Sequence, residues 1–591
     1  MDARPLLSQN PMILSQRTRS VAAAGLSVVA VLACAPAPQA DLLITNASVY
    51  TLRWAEPAVD GSPAADAPHD TTGWHADATA IAVRGNEIVF VGSATDGERY
   101  RGTSTRVIDL AGAVVLPGVV DAHTHTAELG QSLERLDLTG IATPEAAIEK
   151  VAERAARTPK GEWIIGFGWD EGAWADHYPD QRALSARIPD HPVFLRGLHG
   201  FAGWANARAL EQAGITRSTV APTGGEIRKD ARGEPTGLVL NRGIALLDKA
   251  VPAPTPAQRD SQVVRALRVM AASGFTGVHE AGTAADVVAS LQRLADAGLL
   301  PVRVYALLDG RNAELLREWR ARGPFTHTNG SLVIRAVKAY YDGALGSRGA
   351  QLLADYADRP SHRGVSGASY GFDRASVAQT MAAGFQVGIH AIGDAGNRES
   401  LDFIDSVVAA VPPSSPPRHR VEHAQVISPE DMPRFASGGI IASMQPPHAV
   451  EDKGWVEARL GAARTEGAYA WRTLRRGGAH LAFSSDLPGS SWELFYGLHS
   501  ATTRQDTTGA PPEGFLPSQR MTAEEAVRGY TVWNAFAGFD EVRGGTIAVG
   551  KRADFTVIDV DPFRVGSARE LLRGKVLMTV FNGRVTYEPV R

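Results

Sequence analysis

The sequence predicts an α/β protein built on a (β/α)8, TIM-like barrel, with a composite β-sandwich from both termini and an inserted α/β subdomain. Eight apolar, strand-like runs alternate with helical stretches between residues 114 and 540. Short all-β patterns stand at the two ends of the chain, and a long segment separates the first two runs. Alternating strands and helices indicate a parallel sheet, and eight such units indicate a closed barrel.

The first 34 residues have the pattern of an export signal. Arg17 and Arg19 precede an apolar stretch that is too short to span a membrane comfortably, and a Pro-rich segment follows it. "VLAC" at residues 31–34 resembles a bacterial lipobox, which makes Cys34 the expected lipidation site. We therefore expect an exported, periplasmic protein anchored through a lipid on Cys34. An ordinary signal peptide cut nearby, or a helix of the folded body, are the alternatives.

Residues 41–113 and 541–591 predict one β-domain made from both ends of the chain. "ATAIAVRGNEIVFVG" reads as two strands around Gly85-Asn86, and "VLMTVFNGRVTYE" reads as two strands around Asn582-Gly583. Asn-Gly is the preferred dipeptide of two-residue hairpin turns. Because each piece alone is too small to be stable, we expect the two pieces to pack together.

The barrel is predicted over residues 114–540. The gap between the first two runs is far too long for a connection, so residues from about 130 to 270 are interpreted as the inserted subdomain. The eight runs, in chain order, are "VVLPGVVDAH", "FTGVHEAG", "VRVYALL", "IRAVKAYYDG", "FQVGIHAIG", "RVEHAQ", "IIASMQP" and "LAFSSD".

Composition narrows the class of partner. The chain has 591 residues, 44% of them hydrophobic, and a net charge of −4, so it is large enough for several domains. This near-neutral balance does not favour nucleic acid or an anionic membrane surface as a partner. A single cysteine excludes a disulfide framework and a Cys-based zinc finger. We expect a small molecule as the partner and a membrane contact only through the lipid anchor; a homo-oligomer is compatible with the sequence.

Metal-ligating residue types follow several of the predicted strands. His123 and His125 are two residues apart at the end of the first run, so both side chains lie on the same face. Because catalytic groups of such barrels gather at the C-terminal ends of the strands, residues from different strands can converge there. His123, His125, Lys338, His390, His423 and Asp486 are the candidates. Four imidazoles and a carboxylate suit a borderline divalent metal such as zinc.

The series His-x-His, Lys, His, His, Asp on runs one, four, five, six and eight resembles the amidohydrolase superfamily. The stretches "TGGEIRKDARGEPTGLV", "VKAYYDGALGSRGAQLLADYAD", "VGIHAIGDAG" and "GGTIAVGKRADFTVIDVDP" resemble amidohydrolase family 3, the branch that contains N-substituted formamide deformylases. The resemblance covers nearly the whole chain after about residue 41. It implies a metal-dependent hydrolase whose partner is a small-molecule amide. The enzyme would cut a non-peptide carbon–nitrogen bond in an N-substituted amide or formamide, by attack of hydroxide that the metal supplies.

The resemblance also implies two zinc ions per chain. It places a CO2-derived carbamate on Lys338 between them, with His123 and His125 on one metal, His390 and His423 on the other, and Asp486 completing the first site. Asp486 is then the catalytic acid and base. The alternative for Lys338 is an ordinary salt bridge, for which Asp342 is the candidate partner.

Five further residues are candidates for substrate binding. Trp169 and Trp204 belong to an aromatic cluster in the insert, which is either a core or a lid over the barrel mouth. His199 stands where the family carries an Asp. Either this motif contributes to substrate recognition, and the substrate then differs from that of the deformylases, or His199 is a polar loop residue. Arg348 follows the fourth run and either binds substrate or forms a surface salt bridge, and His448 follows the seventh run.

Two other functions stay open on the sequence alone. A mononuclear deaminase of the same superfamily would use one metal and would have no role for Lys338. A non-catalytic, lipid-anchored binding protein that retains a metal would also preserve the six ligand positions.

Overall fold

The computed structural model describes residues 39–589, apart from 171–173, 175–177, 199–201, 223 and 413–415. Cys34, with the rest of the predicted signal, and His199 lie outside the described residues. In the described part of the chain, no helix is long and apolar enough to cross a membrane. Export, the periplasmic location and the lipid anchor stay predictions.

All eight predicted runs contribute a strand to one parallel sheet, and neighbours in the chain pair in sequence. We call them barrel strands 1 to 8. Their bounds are Val119–Thr124, Phe275–Thr283, Arg303–Asp309, Leu332–Tyr340, Gln386–Ala391, Arg420–His423, Ile441–Met444 and His480–Phe483. A two-residue strand, Phe325–Thr326, pairs antiparallel with strand 4. The barrel predicted from the alternating pattern is confirmed.

Strands 1 and 8 close the barrel through a few hydrogen bonds rather than through a full ladder. The backbone N–H of Asp486 donates to the carbonyl oxygen of His123 at 3.0 Å. The side-chain amide of Asn534 donates to the carbonyl oxygens of Val120 and Phe483, at 2.6 and 2.8 Å. This seam brings the residues after strand 8 against the end of strand 1.

Helices surround the barrel and connect its strands, because parallel strands need long crossover connections. Thr255 begins the helix before strand 2 with a capping box, in which its hydroxyl and the Gln258 side chain satisfy each other's backbone N–H groups. The main helices are Thr126–Ser132, Pro256–Ala272, Ala285–Asp296, Ala313–Arg322, Arg374–Ala382, Asp394–Ala410, Met432–Ser437, Pro446–Glu451, Val456–Leu460, Ala462–Thr465, Trp471–Arg476, Leu494–Thr503, Ala523–Gly529 and Val532–Ala537.

The two ends of the chain form the composite β-sandwich. One sheet contains Glu87–Gly92, Ala80–Arg84, Leu42–Thr45 and Arg106–Asp109; the other contains Ser48–Val49, Val114–Pro117, Phe555–Ile558, Val576–Phe581 and Arg584–Tyr587. Ile44 and Val83 of the first sheet share one buried core with Phe555 and Val580 of the second. Packing of N-terminal against C-terminal strands confirms the composite domain.

The first predicted run is divided between two domains, which corrects the sequence interpretation. Val114–Pro117 pairs within the sandwich, and the barrel strand begins only at Val119. Gly118 marks the break, because a Cβ at this position would lie 2.2 Å from the Thr276 hydroxyl oxygen. A glycine is therefore needed where the chain leaves one sheet and enters the other.

The insert is an α/β subdomain between barrel strands 1 and 2. Its six-stranded sheet has the order Leu136–Asp137, Ile164–Trp169, Val193–Gly197, Ala202–Ala205, Pro235–Asn241 and Gly225–Lys229. Helices of the insert are Pro144–Ala155, Gln181–Arg187, Ala207–Gln212 and Ala245–Asp248.

Trp169 and Trp204 lie in the core of the insert, which corrects their assignment as substrate-binding residues. Both side chains are fully buried, and each indole meets Trp174 at ring-centroid distances of 5.3 and 5.8 Å. Each indole N–H donates to a backbone carbonyl, Trp169 to Leu195 at 2.9 Å and Trp204 to Asp180 at 3.0 Å. Their polar atoms are satisfied inside the subdomain.

We therefore predict that Trp169→Ala destabilises the protein without changing substrate preference. Truncating a buried Trp typically costs about 3–5 kcal/mol of unfolding free energy. Denaturant unfolding measures this loss, with Trp74→Ala as the control because Trp74 is only half-buried. A selective rise in KM for aryl amides in Trp169→Ala would instead restore the lid interpretation.

Candidate metal centre

The predicted ligands converge at the C-terminal ends of the barrel strands. His123 is the fifth residue of strand 1, His390 lies near the end of strand 5, and His423 is the last residue of strand 6. His125 and Asp486 follow strands 1 and 8. The barrel thus brings together side chains that are far apart in the sequence.

Asp486 stands at the centre of the histidine cluster. One carboxylate oxygen, Oδ1, lies 3.2 Å from His125 Nε2 and 3.6 Å from His123 Nε2. The other, Oδ2, lies 3.7 Å from His448 Nε2 and 4.0 Å from His423 Nδ1. Two groups with ligand atoms within 4.8 Å of one another result: His123, His125 and Asp486, and His423, His448 and Asp486.

The backbone and the charge of Asp486 both suit this position. Its φ is +64°, in the left-handed region that Asp and Asn adopt more readily than most residues. Burial alone would raise the pKa of the carboxyl group, but the hydrogen bond from His125 and the neighbouring imidazoles hold it well below its usual range. The carboxylate is therefore ionised at neutral pH.

Asp121, also on strand 1, holds the segment before Asp486 in place. Its carboxyl accepts hydrogen bonds from the Ser485 hydroxyl at 2.6 Å and the Ser485 N–H at 3.1 Å. Burial raises the pKa of Asp121 to about 7. Sequence reasoning missed this residue, although an acidic residue two positions before His123 in a buried strand was the available signal.

Glu422 orients His123 and was also missed. Its Oε2 lies 2.6 Å from His123 Nδ1 and accepts a hydrogen bond from Arg420 Nη2 at 3.0 Å. The side chains of Glu422 and Arg420 are both fully buried. Burial would raise the pKa of Glu422, but Arg420 and His123 lower it well below its usual range. The imidazole proton thus stays on Nδ1, and Nε2 faces the site as an electron-pair donor. Charged residues at alternate positions of the buried run "RVEH" were the signal.

Gln445 has the same relation to His423. Its Oε1 lies 2.9 Å from His423 Nδ1, and its amide nitrogen donates to the Ser484 hydroxyl at 2.9 Å. Gln445 follows strand 7, so neighbouring strands hold the ring of His423 from the side. Such outer contacts fix ring orientation in metal sites.

Lys338 points into the barrel, and no carboxylate of the described residues pairs with it. The side chain is 1% exposed, and Nζ donates to His123 Nε2 at 2.9 Å. Asp342, the candidate salt-bridge partner, instead accepts the backbone N–H groups of Ile392 and Gly393 at 2.9 Å. Burial lowers the pKa of Lys338 to about 8. The alternative prediction of a salt bridge between Lys338 and Asp342 is therefore wrong.

His390 leaves a buried nitrogen unsatisfied. Its Nε2 has no hydrogen-bond partner among the described residues, and the nearest carboxylate contact, to Asp342 Oδ1, is 3.8 Å long. The His390 ring lies 4.4 Å from that of His423, centroid to centroid. An unpaired buried nitrogen costs free energy unless a ligand binds it. The donor set therefore fits a divalent metal of the zinc type.

The remaining substrate candidates have different outcomes. Arg348 forms a two-point ion pair with Asp358, at 3.0 and 2.7 Å, so the salt-bridge alternative holds and its guanidinium is engaged. His448 does lie at the centre: together with His423 and Asp486 it forms one of the groups that could hold a metal ion. Asp358 lies only ten residues from Arg348, whereas His448 meets His423 and Asp486 from other parts of the barrel.

Comparison with known proteins decides the family. The model of an amidohydrolase family matches residues 106–587, which include the barrel, the insert and the C-terminal strands of the sandwich. The chain belongs to the amidohydrolase family. This membership, with two groups of described residues that could hold a metal ion, makes the protein a metal-dependent hydrolase.

Relatives cover nearly the whole chain. YtcJ of Bacillus subtilis is 33% identical over 501 residues, covering 83% of this chain and 92% of that protein. The N-substituted formamide deformylase of Arthrobacter pascens is 28% identical over 573 residues, covering 93% and 98%. LONG AFTER FAR-RED 3 of Arabidopsis thaliana is 29% identical over 569 residues, covering 93% and 92%.

Solved structures agree with the fold. An uncharacterised metal-dependent hydrolase from Pyrococcus horikoshii superposes with a TM-score of 0.70 at 24% identity, covering 89% of this chain and 98% of that one. Its counterpart from Pyrococcus furiosus gives a TM-score of 0.71 at 24% identity, covering 88% and 100%. At this identity the likeness supports the architecture alone.

Proposed function

We propose that the protein hydrolyses a non-peptide carbon–nitrogen bond in an N-substituted amide or formamide. The observation that carries the proposal is the position of Asp486 between two pairs of imidazoles at the barrel mouth. The formamide deformylase of Arthrobacter pascens, similar along nearly its whole length, supports the choice of substrate class.

The proposed centre holds two zinc ions. His123 and His125 would bind one, His390 and His423 the other, with Asp486 completing the first and His448 as a further donor. A carbamate on Lys338 would bridge them. The burial of this amine, and the lack of a carboxylate partner for it among the described residues, support this role. Zinc in such a centre lowers the pKa of water and polarises a carbonyl oxygen.

Residues of the chain supply the proton transfers and the alignment. Asp486 accepts the proton of the attacking water on a carboxylate oxygen and delivers it to the departing nitrogen as the carbon–nitrogen bond breaks. The carbonyl carbon gains the water oxygen, so an acid and an amine result. Glu422 keeps the His123 ring in one tautomer and one orientation throughout.

Lys338→Ala is expected to reduce metal content from about two ions per chain toward one, since a two-metal centre loses its bridging group. Elemental analysis of full-length protein prepared in bicarbonate buffer measures the ratio. The matched control is Lys160→Ala, whose ammonium is 83% exposed and pairs with Asp190 at the surface.

The other results point to the alternative functions. About one metal per chain, unchanged by Lys338→Ala, would favour the mononuclear deaminase. No bound metal would leave a binding protein and refute the proposal. Turnover of a panel of N-substituted formamides and larger amides then tests the substrate class directly.

A further inference from the structure

A second pocket, here called the floor pocket, lies at the N-terminal end of the barrel, opposite the metal centre. Its volume is about 300 Å³. The first residues of barrel strands 1 to 4 line it, together with the stretch from Asn534 to Asp554. None of the six proposed metal ligands is among the lining residues, so the floor pocket is separate from the metal centre.

The floor pocket carries an excess of positive charge. Four guanidinium groups and two carboxylates line it: Arg303, Arg335, Arg543, Arg552, Asp540 and Asp554. Arg303 pairs with Asp554 at 2.7 Å, and Arg552 pairs with Asp540. Each of the two carboxylates is therefore paired with one guanidinium group, and the other two guanidinium groups have no carboxylate partner in the floor pocket.

Arg335 and Arg543 are these uncompensated groups. In the described part of the chain, neither side chain forms an ion pair or a hydrogen bond with a carboxylate. The Arg335 guanidinium packs over the Phe539 ring at 4.0 Å, and its buried Nε has no hydrogen-bond partner. Arg552, which is 7% exposed, also has an unpartnered Nε, and burial together with nearby Arg303 lowers its pKa to about 10. Such donors are suited to a carboxylate, which accepts two parallel N–H bonds from one guanidinium.

Apolar side chains form the rest of the floor pocket. Val120, Val278, Val333, Ala535 and Phe539 are among its lining residues. A ligand that is only an anion would leave these walls in contact with water. A carboxylate attached to an apolar body would cover the walls and meet the unpaired guanidinium groups at the same time.

A series of contacts joins the floor pocket to the metal centre. His279 lines the pocket, and its Nδ1 lies 2.9 Å from Arg420 Nη1. Arg420 Nη2 donates to Glu422 Oε2 at 3.0 Å, and the same oxygen lies 2.6 Å from His123 Nδ1. Every side chain in this series is at least 96% buried. Because closely packed side chains transmit displacement, a movement of His279 is expected to move His123 as well.

We propose that the floor pocket binds a small organic carboxylate with an apolar body, and that its occupant changes metal affinity at His123. The binding site stands on its own geometry. The coupling rests on the metal centre of the proposed function, so the two parts need separate measurements.

Isothermal titration of the full chain with benzoate tests the binding site. We expect benzoate to bind more tightly than acetate, and Arg335→Gln and Arg543→Ala each to weaken benzoate binding by at least about tenfold, as expected for losing a charge-assisted contact. Arg317→Ala, which removes an exposed guanidinium from the helix Ala313–Arg322, is the matched control and should bind as the parent does. Arg543 is exposed, so its replacement leaves the fold intact.

Either of two results would overturn the site. Failure of benzoate to bind, or equal binding in Arg335→Gln, Arg543→Ala and the parent, would exclude the floor pocket. Acetate binding as tightly as benzoate would refute the role of the apolar walls.

Competition for zinc against a chromophoric chelator tests the coupling. Saturating benzoate is expected to change the zinc affinity of the parent by at least about fivefold, the lower end of typical couplings between two sites. The double variant Arg335→Gln/Arg543→Ala should show no change, which controls for benzoate that binds free zinc. Benzoate binding with no shift in zinc affinity would refute the coupling, and absence of zinc binding itself would refute the proposed metal centre instead.

Discussion

Asp486→Asn is expected to lower kcat by about 10²–10⁴-fold while folding and metal content are retained, because an amide cannot accept and return the proton. Asparagine keeps the size of the side chain and tolerates the left-handed backbone at this position, where φ is +64°. The one amide oxygen of asparagine can still face the imidazole of His125, which lies 3.2 Å from Oδ1 of Asp486. The loss should therefore appear in turnover rather than in stability.

Steady-state kinetics on the best substrate of the formamide and amide panel, with elemental analysis of the same preparation, measure this effect. Asp373→Asn is the matched control, since Asp373 begins the helix Arg374–Ala382 and Asn is an equally good residue at a helix N-terminus. Turnover of Asp486→Asn within a factor of a few of the parent would refute the proton-transfer role. Loss of metal in the variant would assign Asp486 to binding instead.

Glu422→Gln is expected to weaken both the fold and the metal centre. Arg420 and Glu422 are fully buried in the barrel, so removal of the carboxylate charge leaves a buried guanidinium without its counter-ion. Breaking a buried ion pair in this way costs about 3–5 kcal/mol of unfolding free energy. Zinc affinity should fall about 10–100-fold, because the group that orients a metal-binding imidazole is lost.

Denaturant unfolding and chelator competition measure the two effects of Glu422→Gln separately. Glu149→Gln makes the same chemical change in an exposed pair with Arg187, with side chains 62% and 53% exposed. That control should leave the free energy of unfolding close to that of the parent, because exposed ion pairs contribute little to stability. If the two substitutions lower the free energy of unfolding by the same amount, burial does not increase the contribution of the Arg420–Glu422 pair to stability. If zinc affinity is unchanged, Glu422 does not orient His123.

Sequence patterns determined the barrel and the proposed metal ligands because these signals are local. A barrel strand such as Arg303–Asp309 is buried on both faces and is mainly apolar, and a polar residue at the end of such a run is easy to recognise. His123, His390 and His423 lie at or near the ends of their strands. Once the strands form one parallel barrel, their C-terminal ends share one mouth, so the convergence follows from topology.

The substrate side of the prediction was less successful because it depended on which neighbours a side chain meets. A Trp-rich segment has the same sequence signature whether it forms a core or lines a pocket. Only the tertiary structure placed Trp169 and Trp204 inside the insert, with their indole N–H groups bound to backbone carbonyls. Arg348 likewise depended on Asp358, which lies across a loop.

By itself, the sequence determined the class of fold, the family resemblance and the residues that could bind metal. Only the tertiary structure decided how these residues are supported: Glu422 beneath His123, Gln445 beside His423, and the floor pocket on the opposite side of the barrel. The physical reason is that the ability of a side chain to bind a metal depends on the type of that one residue. Its orientation, charge state and partners instead arise from residues on other strands, brought together only when the barrel closes.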